Sequence, residues 1–225
     1  MKNISIKLKL IILISLSMLL LATTLGIVSI NKMKDTLIES QYKTLTAARD
    51  SKIKQLEEIF ALYKKQINLL TGTSYVKNLT VEFDKIHQEL GMDQYSDLHI
   101  EDKKIKDALP KWDAFYKKYT DTYPFDDVYI ISAKYGHVLY TYEKKNDFGA
   151  NLSNGEYRKS GLAQIWKKVK KYKRVVLFDM NAYEPRNGEP SMFIAAPVYI
   201  NKEFKSVLVY KIDNSFIQNI MQFRS

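Results

Sequence analysis

The amino-acid sequence predicts an α+β fold in which a transmembrane helix and a long stalk helix lead into an antiparallel five-stranded sheet with flanking helices. Three observations carry this reading. Leu10 to Ile30, LIILISLSMLLLATTLGIVSI, is free of charge and, at ~1.5 Å per residue, long enough to cross a ~30 Å hydrocarbon core. Asn31 to about Leu70 lacks proline and glycine and is rich in Lys, Glu, Gln, Leu and Ile, the composition of a helix. Beyond Asp126, short apolar runs rich in β-formers alternate with turn residues, as in a sheet.

The totals set limits. The chain has 225 residues and 46% hydrophobic content, enough for a core, although part of that content sits in the anchor. The net charge is +10, from 35 Lys and Arg against 25 Asp and Glu. These lysines are spread along the chain and Arg is scarce, whereas a nucleic-acid reader clusters its cations on one face, so no nucleic-acid partner is expected. There is no cysteine, which excludes disulfides, thiolate nucleophiles and Cys-ligated zinc. The three histidines, His87, His99 and His137, have no helical metal-ligand spacing. No cofactor is expected, and no triad order, phosphate loop or metal cluster points to an enzyme.

Taken in order, Lys2, Lys7 and Lys9 precede the apolar run, which places residues 1–9 in the cytoplasm and the chain beyond Ile30 outside. The run exceeds a signal-peptide core and lacks a small-x-small cleavage site, so residues 10–30 read as an uncleaved anchor. In the stalk helix, residues 31–71, Ile53, Leu56, Phe60, Tyr63, Ile67 and Leu70 recur three and four apart. This seam suits both a helix packed on its own domain and one that pairs in a homodimer. A sensor domain, residues 72–213, follows the Thr71-Gly72-Thr73-Ser74 break. A second helix carries Val76, Leu79, Val81, Phe83, Ile86 and Leu90, Gly91 to Lys104 reads as a loop, and Leu109-Pro110 opens a third helix bearing Trp112, Phe115, Tyr116 and Tyr119. Tyr123-Pro124-Phe125 then delivers the chain to a hairpin, Val128–Ser132 and Val138–Tyr142, about the turn Ala133-Lys134-Tyr135-Gly136.

After the hairpin, Asp147 to Leu152 turns across the sheet face and Ser160 to Trp166 begins a short helix, whose basic end, Lys167 to Arg174, reads as a solvated surface. Strands follow at Val175–Met180, Met192–Ile200 and Phe204–Ile212, with a proline-rich loop, Asn181 to Pro190, between the first two. Asp213 or Asn214 caps a closing helix, residues 214–225, at which the chain reads as truncated.

Five antiparallel strands interrupted after the second by loop and helix are a PAS-like layout. The pieces VYIISAKYGHVLYTYEKKNDFGANL, SGLAQIW, VVLFDMNAYEP, PSMFIAAPVY and SVLVYKIDNSFIQNIM, in that order, resemble the extracellular Cache-type sensor region of bacterial methyl-accepting chemotaxis proteins. The resemblance implies a small-molecule ligand bound outside the membrane for chemotaxis; an amine or amino acid is the class that the aspartates and tyrosines named below would suit. It implies a further cytoplasmic region, absent from this chain, that binds CheA through CheW. The same sensor type is found on histidine kinases and nucleotide cyclases, and a membrane-anchored partner-binding protein without a ligand is the alternative outside signalling. In a PAS-like domain the sheet forms one pocket wall and the segment from Asp147 to Lys173 the other. The candidate ligand-binding residues are Tyr129, Tyr140 and Tyr142 from the hairpin and Asp147, Asp179 and Tyr183 from the segments facing it, an aspartate taking an ammonium and a tyrosine ring packing on the ligand. Each is equally readable as structural. Tyr140 and Tyr142 share a strand face by alternation, which Tyr129 need not share. The arginine that accompanies an aromatic helix in amino-acid-binding Cache receptors is not matched beside Lys111-Trp112 and Tyr116.

Overall fold

The computed structural model describes residues 5–123 and 125–222; Lys2 in the basic amino terminus, Pro124 of the strand-entry break and the last three residues of the closing helix lie outside the described residues. Helix α1 spans Ile6–Thr71 and contains a window long and apolar enough to cross a membrane. The chain divides into two compact units between Gln55 and Leu56. In the first, Leu37, Tyr42 and Leu45 are exposed.

The second unit holds the end of α1, α2 (Ser74–Glu89), α3 (Lys103–Thr120), β1 (Phe125–Ser132), β2 (Val138–Thr141), α4 (Gly161–Tyr172), β3 (Val176–Tyr183), β4 (Glu189–Ile200), β5 (Glu203–Ile212) and α5 (Asn214–Met221). The strands form one antiparallel sheet in the order β2-β1-β5-β4-β3. Alternation along each strand supplies two opposite faces. On one, Val128, Ile130, Tyr140, Ile194, Leu208 and Tyr210 pack with Tyr63 and Ile67 of α1 and with α2 and α3. On the other, Tyr129, Ile131, Phe193, Ala195, Val207 and Val209 pack with Leu162, Ile165, Trp166 and Val169 of α4. The later half of the α1 seam is thereby committed to its own domain.

Three expectations change. Helix α3 begins well before Leu109: Asp102 caps it through the Lys104 amide, Ile105 and Ala108 are buried, and Pro110 lies inside. The burial of Ile105, Trp112 and Tyr116 offsets the backbone bond a proline removes. Strand β3 continues through Asn181 to Tyr183 after an irregularity between Phe178 and Asn181, and β4 starts at Glu189, so the expected loop shrinks to a tight turn with Asn187 and Gly188 at positive φ. The Asp147–Leu152 segment runs along the outer edge of β2 rather than crossing the face: Val138 donates to Ala150 O and Gly149 donates to Val138 O, at 3.0 and 3.1 Å, satisfying edge groups that would otherwise be unpaired. Gly136 is required at the hairpin turn, where φ is +83° and a Cβ would stand 3.0 Å from the Trp166 ring.

Candidate functional site

At the β1–β2 end of the α4 face the sheet carries buried charge. Asp127 and Tyr129 alternate along β1, and Tyr129 pairs with Thr141 across β2, so the three project together. Asp127 is fully buried and accepts five hydrogen bonds. Four come from the hairpin itself: the Val128, Tyr142 and Glu143 amides at 2.8, 2.9 and 3.1 Å, and Thr141 Oγ1 at 2.7 Å. The fifth is Arg186 Nη2 at 2.6 Å, from the short 3₁₀ turn Glu184–Arg186 that links β3 to β4. The same nitrogen lies 3.4 Å from the Tyr129 hydroxyl.

Tyr183, the last residue of β3, donates its hydroxyl to Asp147 Oδ2 at 2.7 Å. Both side chains are fully buried. Among the described residues, Asp147 Oδ1 and Arg186 Nε have no hydrogen-bond partner although both atoms are buried. Burial, followed by repulsion from Asp147, lifts the Asp127 carboxyl to about 6, against the pull of Thr141, Glu143 and Arg186. Burial also raises Asp147, opposed by the Tyr183 hydroxyl and Arg186. The phenols of Tyr129 and Tyr183 are pushed well above their usual range by burial and then by the neighbouring carboxylates, so both remain donors. A second buried cation lies beside this cluster: Lys211 on β5 donates to Asp126 and Glu189 at 2.8 and 2.9 Å. Two carboxylates facing one guanidinium leave an acceptor for a ligand cation, and Arg186 Nε leaves a donor for a ligand anion.

The structure thus brings together Tyr129, Asp147 and Tyr183 of the sequence-predicted residues. Tyr140 and Tyr142 lie on the opposite side of the sheet. Tyr140 packs on Tyr116 at 5.2 Å between ring centroids and donates its hydroxyl to Asp113 at 2.8 Å, and Tyr142 packs partly buried in the same helix-side core. Asp179 is exposed in the β3 irregularity, its carboxylate taken by the Met180 amide at 2.8 Å. Sequence reasoning missed Asp127, Thr141 and Arg186. Asp127 stands two residues before Tyr129, so strand alternation from Tyr129 would have found it. Arg186 is the one arginine in the β3–β4 turn, brought to the hairpin only by the pairing of nonadjacent strands. Among the described residues no group of three or more His, Asp or Glu is placed to hold a metal ion.

No family model matches the chain, and no curated protein matches it either. Solved structures do match in fold. The sensor domain of the histidine kinase DctB from V. cholerae aligns at 16% identity over 82% of this chain and 62% of that one, with a TM-score of 0.52. The extracellular domain of the candidate histidine kinase vpHK1S-Z8 aligns at 12% identity over 83% and 62%, with a TM-score of 0.50. The chain spans 62% of the length of each of these solved domains. The chain shares the fold of these two solved domains.

Proposed function

We propose that this chain is the sensing part of a single-pass membrane receptor and that it binds an amino acid in the α4-side cluster. The observation that carries the reading is the pair of orphaned buried atoms of opposite character, Asp147 Oδ1 and Arg186 Nε, within one cluster. The ammonium of the ligand meets Asp147 and the ring of Tyr129 or Tyr183; the carboxylate meets Arg186, which Asp127 holds in place. Arg186 supplies the arginine absent from the aromatic helix α3. Because Asp127, Tyr129, Asp147 and Tyr183 are fully buried, entry requires the domain to open, and a domain that closes over its ligand has two states to report.

The apolar window of α1 anchors the chain, with the sheet domain outside the membrane, and the exposed apolar residues of the first unit pair the stalk in a homodimer. The sequence pieces favour a chemoreceptor, with contact to CheA and CheW made by a region beyond this chain. The descriptions of both solved neighbours favour a histidine kinase. Both outputs share the same input. A thermal-shift screen of the full chain in detergent micelles against amino acids, amines and organic acids tests that input. Stabilisation by one or more α-amino acids is expected, growing with concentration as saturable binding demands. A well-folded sample that no member of the panel stabilises contradicts it.

A further inference from the structure

Away from this cluster, two of the three histidines meet inside the domain. His87 on α2 and His137 just before β2 are 4% and 0% exposed, and His87 Nε2 lies 2.7 Å from His137 Nδ1. His137 Nε2 lies 2.6 Å from the Ser96 carbonyl. A carbonyl only accepts, and at 2.6 Å it outweighs the Asn151 amide nitrogen 3.2 Å from the same atom, so His137 carries its proton on Nε2 and leaves Nδ1 bare, and His87 Nε2 must donate to it. The neutral pair therefore has one arrangement. A proton added at His137 Nδ1 sets two N–H groups against each other. A proton added at His87 preserves the bond but charges a buried ring stacked at 5.4 Å on Tyr135.

The groups facing the pair do not compensate that charge. Asp84 on α2 favours it; Lys134 beside Tyr135 in the hairpin turn opposes it. Asp93 and Asp97 come from the segment between α2 and α3. Asp93 is engaged by the Tyr95 and Ser96 amides and the Ser96 hydroxyl, at 2.8, 2.8 and 3.0 Å, and Asp97 by the Asn151 amide at 2.7 Å. Burial, then His137, holds His87 down to about 4. Burial likewise lowers His137.

Asn151 ties the pair to the ligand cluster. Its side-chain amide donates to Gln94 O and Ser96 O at 2.8 and 3.2 Å, and its Oδ1 accepts from the Ser153 and Asn154 amides. It stands opposite His137 in an antiparallel bridge, at the end of the segment that begins with Asp147. Ser96 O thus serves both His137 and Asn151.

We infer that the His87–His137 pair is an acid-operated latch, a second input separate from the ligand: protonation ends its neutral arrangement, by charging the buried His87 ring or by setting two N–H groups against each other at His137, and releases the segments around Ser96 and Asn151. Because folding depresses the His87 pKa, its contribution is complete above about pH 6.5 and is lost as pH falls toward about 4. The effect on ligand affinity, a weakening through Asp147, rests on the amino-acid reading; the release does not.

Hydrogen exchange of the full chain in detergent micelles tests the latch without any ligand. Between pH 7 and pH 4.5, after correction for the intrinsic pH dependence of exchange, residues 91–102 and 147–154 are expected to lose about tenfold in protection while α4 keeps its own. In His87→Gln, whose amide donates to His137 without titrating, the loss falls below about twofold. Unchanged protection in the wild type, an equal loss in His87→Gln, or a loss shared by α4 overturns the inference. If His87→Gln does not fold, His137→Gln is measured in its place by the same criterion. Proton NMR of the wild-type imidazoles adds a second readout: His87 and His137 must titrate below the ordinary histidine value of about 6.5, and midpoints at or above it overturn the latch.

Discussion

Both faces of the sheet pack aromatic side chains, but they differ in where charge is held. On the helix side, Tyr210 stacks on Phe125 at 4.4 Å and Tyr140 has its hydroxyl on Asp113. Charge there sits at the rim, as in the pairing of Lys144 with Asp113. On the α4 side two carboxylates and a guanidinium are buried together, and the two unpartnered atoms there belong to charged groups, whereas those of Tyr116 and Tyr210 on the helix side are phenol hydroxyls. The first arrangement is a core. The second holds charge that folding alone gives no reason to bury, because an ion pair removed from water returns little net stability.

If that contrast is right, substitutions on the two faces separate stability from binding. The largest expected loss is Tyr210→Ala, which empties a fully buried site against Phe125 and Tyr119: about 3–5 kcal/mol by denaturant titration. Asp127→Ala removes the acceptor of the Glu143 amide and of Thr141 Oγ1 and the close carboxylate of Arg186; a loss of about 2–4 kcal/mol together with loss of binding is expected. Next comes a pH effect. The Asp127 carboxyl is raised in the fold, so the stability it contributes is full below about pH 4 and is lost as pH rises through about 6. Relative to Asp127→Asn, the wild type should lose on the order of 1–2 kcal/mol across that window in melts taken at successive pH values. Tyr183→Phe removes one buried hydroxyl and its bond to Asp147 Oδ2, costing about 1 kcal/mol. Asp179→Ala should change stability by less than about 0.5 kcal/mol and leave binding intact, since its carboxylate faces solvent.

The fold was legible because it rests on periodicities: the uncharged anchor, the helical spacing that buries Val76, Leu79 and Phe83, and the alternating runs of β1, β4 and β5. Pro110 misled the start of α3, since local propensity there yields to the burial of Ile105 and Ala108. The candidate site was half legible. Tyr129, Asp147 and Tyr183 fall together, whereas Tyr140 and Tyr142 belong to the other face, because the one-residue step from Tyr129 to Ile130 across the hairpin pairing reverses every side chain. Arg186 reaches Asp127 only through the strand order β2-β1-β5-β4-β3, which no local pattern encodes.

The central claim is that Asp147 and Arg186 hold the two charged ends of one ligand. Titration calorimetry should compare the best-stabilising amino acid with its decarboxylated amine and its deaminated acid, in the wild type, Asp147→Asn and Arg186→Gln. The account predicts that the wild type binds the intact amino acid at least about 100-fold tighter than either fragment, as expected when a buried charge loses its partner. It also predicts that Asp147→Asn loses the preference for the ammonium and Arg186→Gln the preference for the carboxylate. Equal binding of the amino acid by all three proteins would contradict it.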